Sequence, residues 1–397
     1  MKIAAVRTIC TAPEGIGLVV VKVETDEPGC YGVGCATFTQ RPQLVVRAVE
    51  EYLEPFLVGR DPDDIEDIWR AAQLSSYWRH GPVLNNALAG VDIALWDIKG
   101  KRAGMPVHGL LGGRARRFAE VYTHVSGRDA KEVEEGVRRR MEEGYRFVRC
   151  QVAVGTSATY GASTVRGADA YFDPRAYCAT IPRLFEHLRS ELGESVELIH
   201  DVHERLAPPL AVQLAKDLEP YRLFFLEDVL APEDQEHLRH VRAQSSAPLA
   251  LGELYTSPHE YLPVVRDRLV DFMRAHLSDI GGITPARKLA AMCELFGVRT
   301  AWHGPGDASP VAHAANLALD IAVPNFGIHE WPNFGERARE VFPGCPEVRD
   351  GALHPNERPG LGVDIDEQAA ARYPLPDDPL RGSWREVRLR DGTVVRP

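Results

Sequence analysis

Lysine is scarce in this chain: seven residues, at 2, 22, 99, 101, 131, 216 and 288, out of 397. Forty-six basic side chains against 57 acidic ones leave a net charge of −11. That balance argues against a general binder of nucleic acid or anionic membrane, while leaving room for a locally positive site. The seven cysteines, at 10, 30, 35, 150, 178, 293 and 345, are odd in number and form no Cys-x-x-Cys or Cys/His cluster. Neither a disulfide framework nor a zinc site is expected from them. No uncharged apolar run approaches ~20 residues, so no membrane-spanning helix is expected. Arg7 interrupts the N-terminal apolar residues after four positions, too early for a secretory core, and a cytoplasmic protein is the expectation. A Gly-x-Gly-x-x-Gly after the first strand, a phosphate loop, Gly-x-Ser-x-Gly and His-Glu-x-x-His are also missing. Their absence weakens a doubly wound dinucleotide-binding sheet, the alternative fold, and removes the usual nucleotide, serine-hydrolase and zinc-protease readings.

What remains is ordinary globular composition, 44% apolar and 26% charged, with 34 Gly and 29 Pro. The length suits two domains, or one large barrel with an appendage. Residues 17–25 (GLVVVKVET) are β-rich, Pro28-Gly29 makes a turn, and 31–38 can pair back as a hairpin. Helical stretches follow at 41–54, 62–74 and 83–103. The last is apolar at Leu84, Leu88, Val91, Leu95 and Ile98, with Gly104 and Pro106 to stop it. Residues 1–117 thus read as a small α+β domain.

From residue 118 the pattern changes to alternating strand and helix. Eight short apolar runs occur at 119–124, 145–151, 196–203, 223–228, 249–254, 270–274, 299–303 and 326–330. Most are about 25–30 residues apart, the repeat of a (β/α)8 barrel. Helical segments such as 129–143 and 282–296 lie between them. The expected fold class is therefore α/β: a TIM-type barrel over 118–344 capped by the α+β domain, with 345–397 packing back on that cap. The longest irregular stretch, 152–172, is small, polar and glycine-rich. In a compact domain such a loop is functional or disordered, and in a barrel it emerges on the catalytic face.

Three carboxylates close successive runs: Asp201, Glu227 and Glu253, each 26 residues after the last. One βα unit apart, they share a rim. Hard oxygen ligands with no cysteine or compact histidine cluster suit Mg2+, which keeps positions open for water and substrate. A lone strand-end acid is as readily a helix cap; three in equal register are not. His203 lies two residues beyond Asp201 and, by strand alternation, on the same side, where a near-neutral pKa suits an acid or base. His124, His303 and Glu330 end the first, seventh and eighth runs and Arg274 the sixth. Each histidine or acid there is open between lining a pocket and capping a helix. No lysine ends a barrel strand, which removes a lysine base. The second run ends Arg149-Cys150-Gln151, and Tyr160 follows eleven residues after Arg149. A guanidinium beside a phenol eases its ionisation; the alternative is a loop tyrosine that stacks for order. Arg114, Arg116, Arg117 and Arg138–Arg140 read as solvated or interdomain faces.

Several stretches together resemble the enolase superfamily and, within it, the D-mannonate dehydratase group: NNALAGVDIALWDIKGKRAGMPVHGLLGG, VYTHVSG, HDVHE, LEDV, LGELY, DFMRAHLSDIGGIT and WHGPGDASPVAHAANLAL. The resemblance spans nearly the whole chain. It implies a capping domain over a modified (β/α)7β barrel, with one Mg2+ per subunit on Asp201, Glu227 and Glu253. It implies Tyr160 with Arg149 as the base and His203 as the acid that helps the 3-hydroxyl depart. Thr39, His124, Arg274, His303, Asp307 and Glu330 would line the sugar pocket. Arg274 stands where racemase-like relatives keep an Asp paired to the seventh-strand histidine, so His303 lacks the partner of a strong base. By resemblance the chain would be a homo-oligomer, tetramer or octamer, acting on a small sugar acid, with no nucleic-acid or membrane partner. The expected reaction is dehydration of an aldonate, D-mannonate or D-gluconate, to a 2-keto-3-deoxy acid. The alternatives are a racemase or epimerase of the same superfamily, or a barely active sugar-acid binder. Thr39 in place of the family's usual lid Asn, a C-terminus without Trp, and Pro305 where efficient members carry a small residue all point to low efficiency.

Overall fold

The computed structural model describes residues 1–154, 171–378 and 387–396. The chain opens with a three-stranded antiparallel sheet: β1 (Ile3–Thr11), β2 (Leu18–Thr25) and β3 (Tyr31–Cys35). β3 stops short of the expected Phe38. The helix Pro82–Ala103 lies against this sheet, and Gly104, at φ +63°, ends it in the left-handed conformation that glycine adopts without strain. Contact between the two is backbone to backbone. A methyl group at Gly32 or Gly34 would overlap the carbonyl oxygens of Ala94 and Gly90. The other side of the helix faces the barrel, where Asp92 accepts from the Thr284 amide at 2.9 Å and Trp96 donates to the Thr284 hydroxyl at 2.9 Å. Buried on nearly every side, the helix has no single apolar stripe, and Leu84 is exposed rather than part of the core. The expected helix over 41–54 is broken into Pro42–Arg47, a π turn over Ala48–Leu53, and Glu54–Leu57. Pro55 has no N–H to return to the preceding turn, and the backbone widens just before it.

Eight parallel strands follow: β4 (Ala119–Gly127), β5 (Phe147–Val152), β6 (Glu197–Asp201), β7 (Phe225–Glu227), β8 (Leu249–Leu251), β9 (Phe272–Met273), β10 (Arg299–Thr300) and β11 (His329–Glu330). Each pairs with the next from β4 to β10, β11 pairs with β4, and a Thr300–Phe326 bridge closes the remaining gap. Helices connect all seven successive pairs, giving the (β/α)7β form of the barrel. Several strands are only two or three residues long, shorter than their apolar runs. Tyr122, Ile199, Phe225, Ala250, Phe272, Ala301 and Ile328 fill the barrel interior. Beyond the barrel, Glu367 accepts from Arg7 (2.6 and 2.8 Å) and Lys22 (2.8 Å), and the Leu361 amide donates to Asp97 at 2.8 Å. These contacts tie the 361–373 segment to the antiparallel sheet and its helix.

Candidate active site

The barrel's C-terminal rim gathers the acids. Asp201 ends β6 and Glu227 ends β7, directly opposite each other in parallel register. Glu253 lies two residues past β8, beyond Gly252 at φ +134°. Carboxylate oxygens of Asp201, Glu227 and Asp228 all fall within 4.8 Å of one another. Asp228 was not anticipated from the sequence. Strand alternation would turn it away from Glu227, but its φ of +41° breaks the strand there and brings both acids to one side. The signal was present as the second acid of Leu-Glu-Asp-Val. His203 differs in the same way: β6 ends at Asp201, and His203 reaches the rim through a turn at φ +54°, not through strand alternation. Its Nε2 sits 3.7 Å from Glu253 Oε1.

Beneath the rim, two buried arginines hold the acids. Arg149 Nη1 donates to Glu227 Oε1 at 2.8 Å and lies 3.5 Å from both Asp201 and Glu330. Arg274 Nη2 donates to Glu227 (2.6 Å), Glu330 (2.9 Å) and the Tyr122 hydroxyl (3.0 Å). Glu330 also accepts from the Gly304 amide at 2.9 Å, and His124 Nε2 is 2.9 Å from its other oxygen. Five buried or nearly buried acids (Asp201, Glu227, Asp228, Glu253 and Glu330) thus face two arginines. Burial pushes the Glu227 carboxyl up to about 8, against the pull of Arg274 and Arg149. Among the described residues, neither Asp201 carboxylate oxygen has a hydrogen-bond partner. Buried anionic oxygens left bare cost several kcal/mol, and a hard divalent cation would satisfy them. The donor set fits Mg2+.

Around this floor stand the other expected residues. His303 Nε2 is 3.3 Å from Glu253, and its Nδ1 meets His276 Nδ1 at 2.9 Å. Burial drives His303 down to about 3, so its ring is neutral at pH 7. His276 is a partner the sequence reading missed; it lies two residues after Arg274, the same spacing as Asp201 and His203. Thr39, on the loop after β3, is buried with its hydroxyl facing the carboxyl of Asp307 on the loop after β10. The cap and the barrel therefore meet at the mouth. Tyr160, the expected base, lies outside the described residues. A cavity of about 610 Å3 lies elsewhere, between the helix Pro310–Ala322 and residues 344–362, lined by His108, Arg339 and Arg358 and by none of the five rim acids. Chemistry, not volume, locates the site.

Residues 2–112 match the mandelate racemase/muconate lactonizing enzyme N-terminal domain family, and residues 132–369 match the enolase C-terminal domain-like family. A D-galactonate dehydratase family member from Musicola paradisiaca is 53% identical over 416 residues, covering 100% of this chain and 99% of its own. A second, RspA of Pantoea ananatis, is 52% identical with the same coverage. An enolase from Pantoea ananatis crystallised with D-gluconate and Mg superposes with a TM-score of 0.95 at 52% identity, each chain covered in full. A dehydratase-like structure from Zymomonas mobilis gives 0.82 at 29% identity, covering 93% of this chain and 97% of its own. With three acids at the ends of adjacent barrel strands, and with relatives this similar over its whole length, the chain belongs to the enolase superfamily and to its D-galactonate dehydratase family.

Proposed function

We propose that this protein is a Mg2+-dependent acid-sugar dehydratase that converts an aldonate to a 2-keto-3-deoxy acid. The observation that carries the reading is the set of acids on adjacent strand ends, with both Asp201 oxygens buried and, among the described residues, without a hydrogen-bond partner. Asp201, Glu227 and Glu253 are the proposed metal ligands. Mg2+, when bound, supplies the positive charge that offsets the negative charge developing on the substrate carboxylate. Tyr160, eased toward its phenolate by Arg149, takes the C2 proton. His203 gives a proton to the 3-hydroxyl as it leaves as water, and the resulting enol rearranges to the ketone. Thr39, His124, Arg274, His303, Asp307 and Glu330 shape the pocket. His303 turns its Nδ1 edge to His276, not to an acid, while its Nε2 edge faces Glu253; the Nδ1 pairing supports elimination over racemisation by a second base.

The relatives' family name points to galactonate and the Pantoea structure holds gluconate, whereas the sequence motifs resemble the mannonate group. We take the substrate to be a six-carbon aldonate, turned over slowly with loose choice among configurations. Thr39 offers one hydroxyl where Asn would present both an acceptor and a donor, and its neighbour at the mouth is an acid. Small losses of orientation cost about a hundredfold in such a reaction. The test is a Mg2+-supplemented panel of mannonate, gluconate and galactonate with detection of 2-keto-3-deoxy products. Turnover of two of them below a kcat/KM of ~10⁴ M⁻¹s⁻¹, the lower end for ordinary enzymes, is expected. Efficient turnover of one alone, or only epimerised product, overturns this reading.

A further inference from the structure

Behind β11, on the side away from the acids, three buried polar side chains lie in series. Asp320 Oδ2 is 2.7 Å from His329 Nδ1, and His329 Nε2 is 2.9 Å from His313 Nδ1. Asp320 and His313 are fully buried and His329 is 1% exposed. The rings of Trp331 and Phe334 stand edge-on to His313 at 5.1 and 5.2 Å, closing it from water. The remaining nitrogen of His313, Nε2, faces the Pro305 carbonyl without close hydrogen-bond geometry. Pro305 sits in the loop between His303 and Asp307, and a methyl group on the adjacent Gly304 would strike the His313 ring.

Burial lowers both histidines, and with both rings neutral two proton arrangements are possible. If Asp320 is an anion, His329 donates to it, His313 donates to His329, and the lone pair of His313 Nε2 confronts the Pro305 oxygen. If Asp320 keeps its proton, it donates to His329 Nδ1, His329 Nε2–H donates to His313 Nδ1, and His313 Nε2–H is left to donate to Pro305. Both orders satisfy every donor, but only the second avoids setting the His313 Nε2 lone pair against the Pro305 oxygen. Burial raises Asp320 well above the usual carboxylate range and lowers both histidines, which favours the same uncharged chain.

We propose that Asp320, His329 and His313 form a one-way hydrogen-bond chain whose last N–H holds the Pro305 carbonyl, fixing the loop that presents His303 and Asp307. His313 is thus a positioning residue. The contacts from Asp320 to His313 stand on geometry; the consequence for substrate rests on the function proposed above.

The proton order is read directly by 15N NMR of the histidine rings in the full-length protein. His329 and His313 should each carry the proton on Nε2; a proton on Nδ1 of either overturns the chain, whatever the enzyme does. The consequence is read with two variants. His313→Gln places an amide N–H near the Nε2 position and keeps the reach to Pro305, whereas His313→Asn replaces only the Nδ1 edge and loses it. His313→Asn should raise KM for gluconate about tenfold with a smaller change in kcat, and His313→Gln should recover most of it. Equal losses in both, or unchanged KM in a folded Asn variant, overturn the positioning role. Should no aldonate be turned over, gluconate affinity by calorimetry replaces KM, so that failure of the activity and failure of the chain stay separate.

Discussion

At the scale of single residues, the acid cluster raises a choice that its geometry sharpens. Asp228 lies as close to Asp201 and Glu227 as a third ligand would, while Glu253 stands further out among His203, His303 and Arg274. The Asp228 carboxyl is raised well above its usual range by burial, and it hydrogen-bonds Glu253. A neutral acid that donates to Glu253 orients that ligand and is a poor ligand itself. Glu253→Gln should therefore abolish Mg2+ binding measured by calorimetry. Asp228→Asn, whose amide can still donate, should weaken binding far less. Equal loss in the two variants would make Asp228 the ligand. For the acid and base, Tyr160→Phe should block exchange of the C2 hydrogen with deuterated solvent, while His203→Asn should slow elimination more than exchange. Full exchange in the Tyr160 variant moves the base elsewhere, first to His303.

Among the elements, the eight barrel strands were legible because an inward apolar run recurs once per βα unit, and every run found its strand. Their ends were less legible. Period-two alternation predicts sides only while a strand lasts, and β6 and β7 stop at Asp201 and Glu227. Positions beyond, such as His203 and Asp228, take their direction from turns with positive φ, which alternation does not encode. The helix Pro82–Ala103 shows the reverse case: its period was clear, yet its partners on two sides were not. Its closest approach is to β3, where Gly34 sits against the Gly90 carbonyl. Gly34→Ala should destabilise the protein by about 1–3 kcal/mol through overpacking, seen as a lower melting temperature. An unchanged melting temperature would mean that sheet and helix are less tightly apposed.

For the molecule as a whole, the C-terminal residues complete the antiparallel sheet's surroundings. Hydrogen bonds from Arg7 hold the Glu367 carboxyl down to about 2, against partial burial and with help from Lys22. A depressed acid contributes stability that is present above its unfolded value of about 4.5 and is lost as pH falls through its folded value. Both Arg7 and Glu367 are more than a third exposed, so solvent limits the contribution to about 1 kcal/mol. Glu367→Gln should lower the melting temperature slightly at pH 7 by scanning calorimetry, and the gap from the unsubstituted protein should narrow by pH 3.5. A gap that widens on acidification would contradict the pairing.

The sequence by itself determined the barrel, because burying one face of each strand imposes a period that survives in the residue order. It also determined which three strand ends carry acids, since equal spacing along the chain becomes equal position around a closed rim. Tertiary structure alone decided the rest. Arg149 and Arg274 meet at Glu227 from strands 125 residues apart, and Thr39 meets Asp307 across two separate parts of the fold. His303 finds His276, two residues beyond the Arg274 that replaces the racemase-like relatives' Asp, and His313 and His329 find each other behind β11. Such pairings depend on side-chain direction and distance after the chain has closed on itself. Local periodicity carries neither.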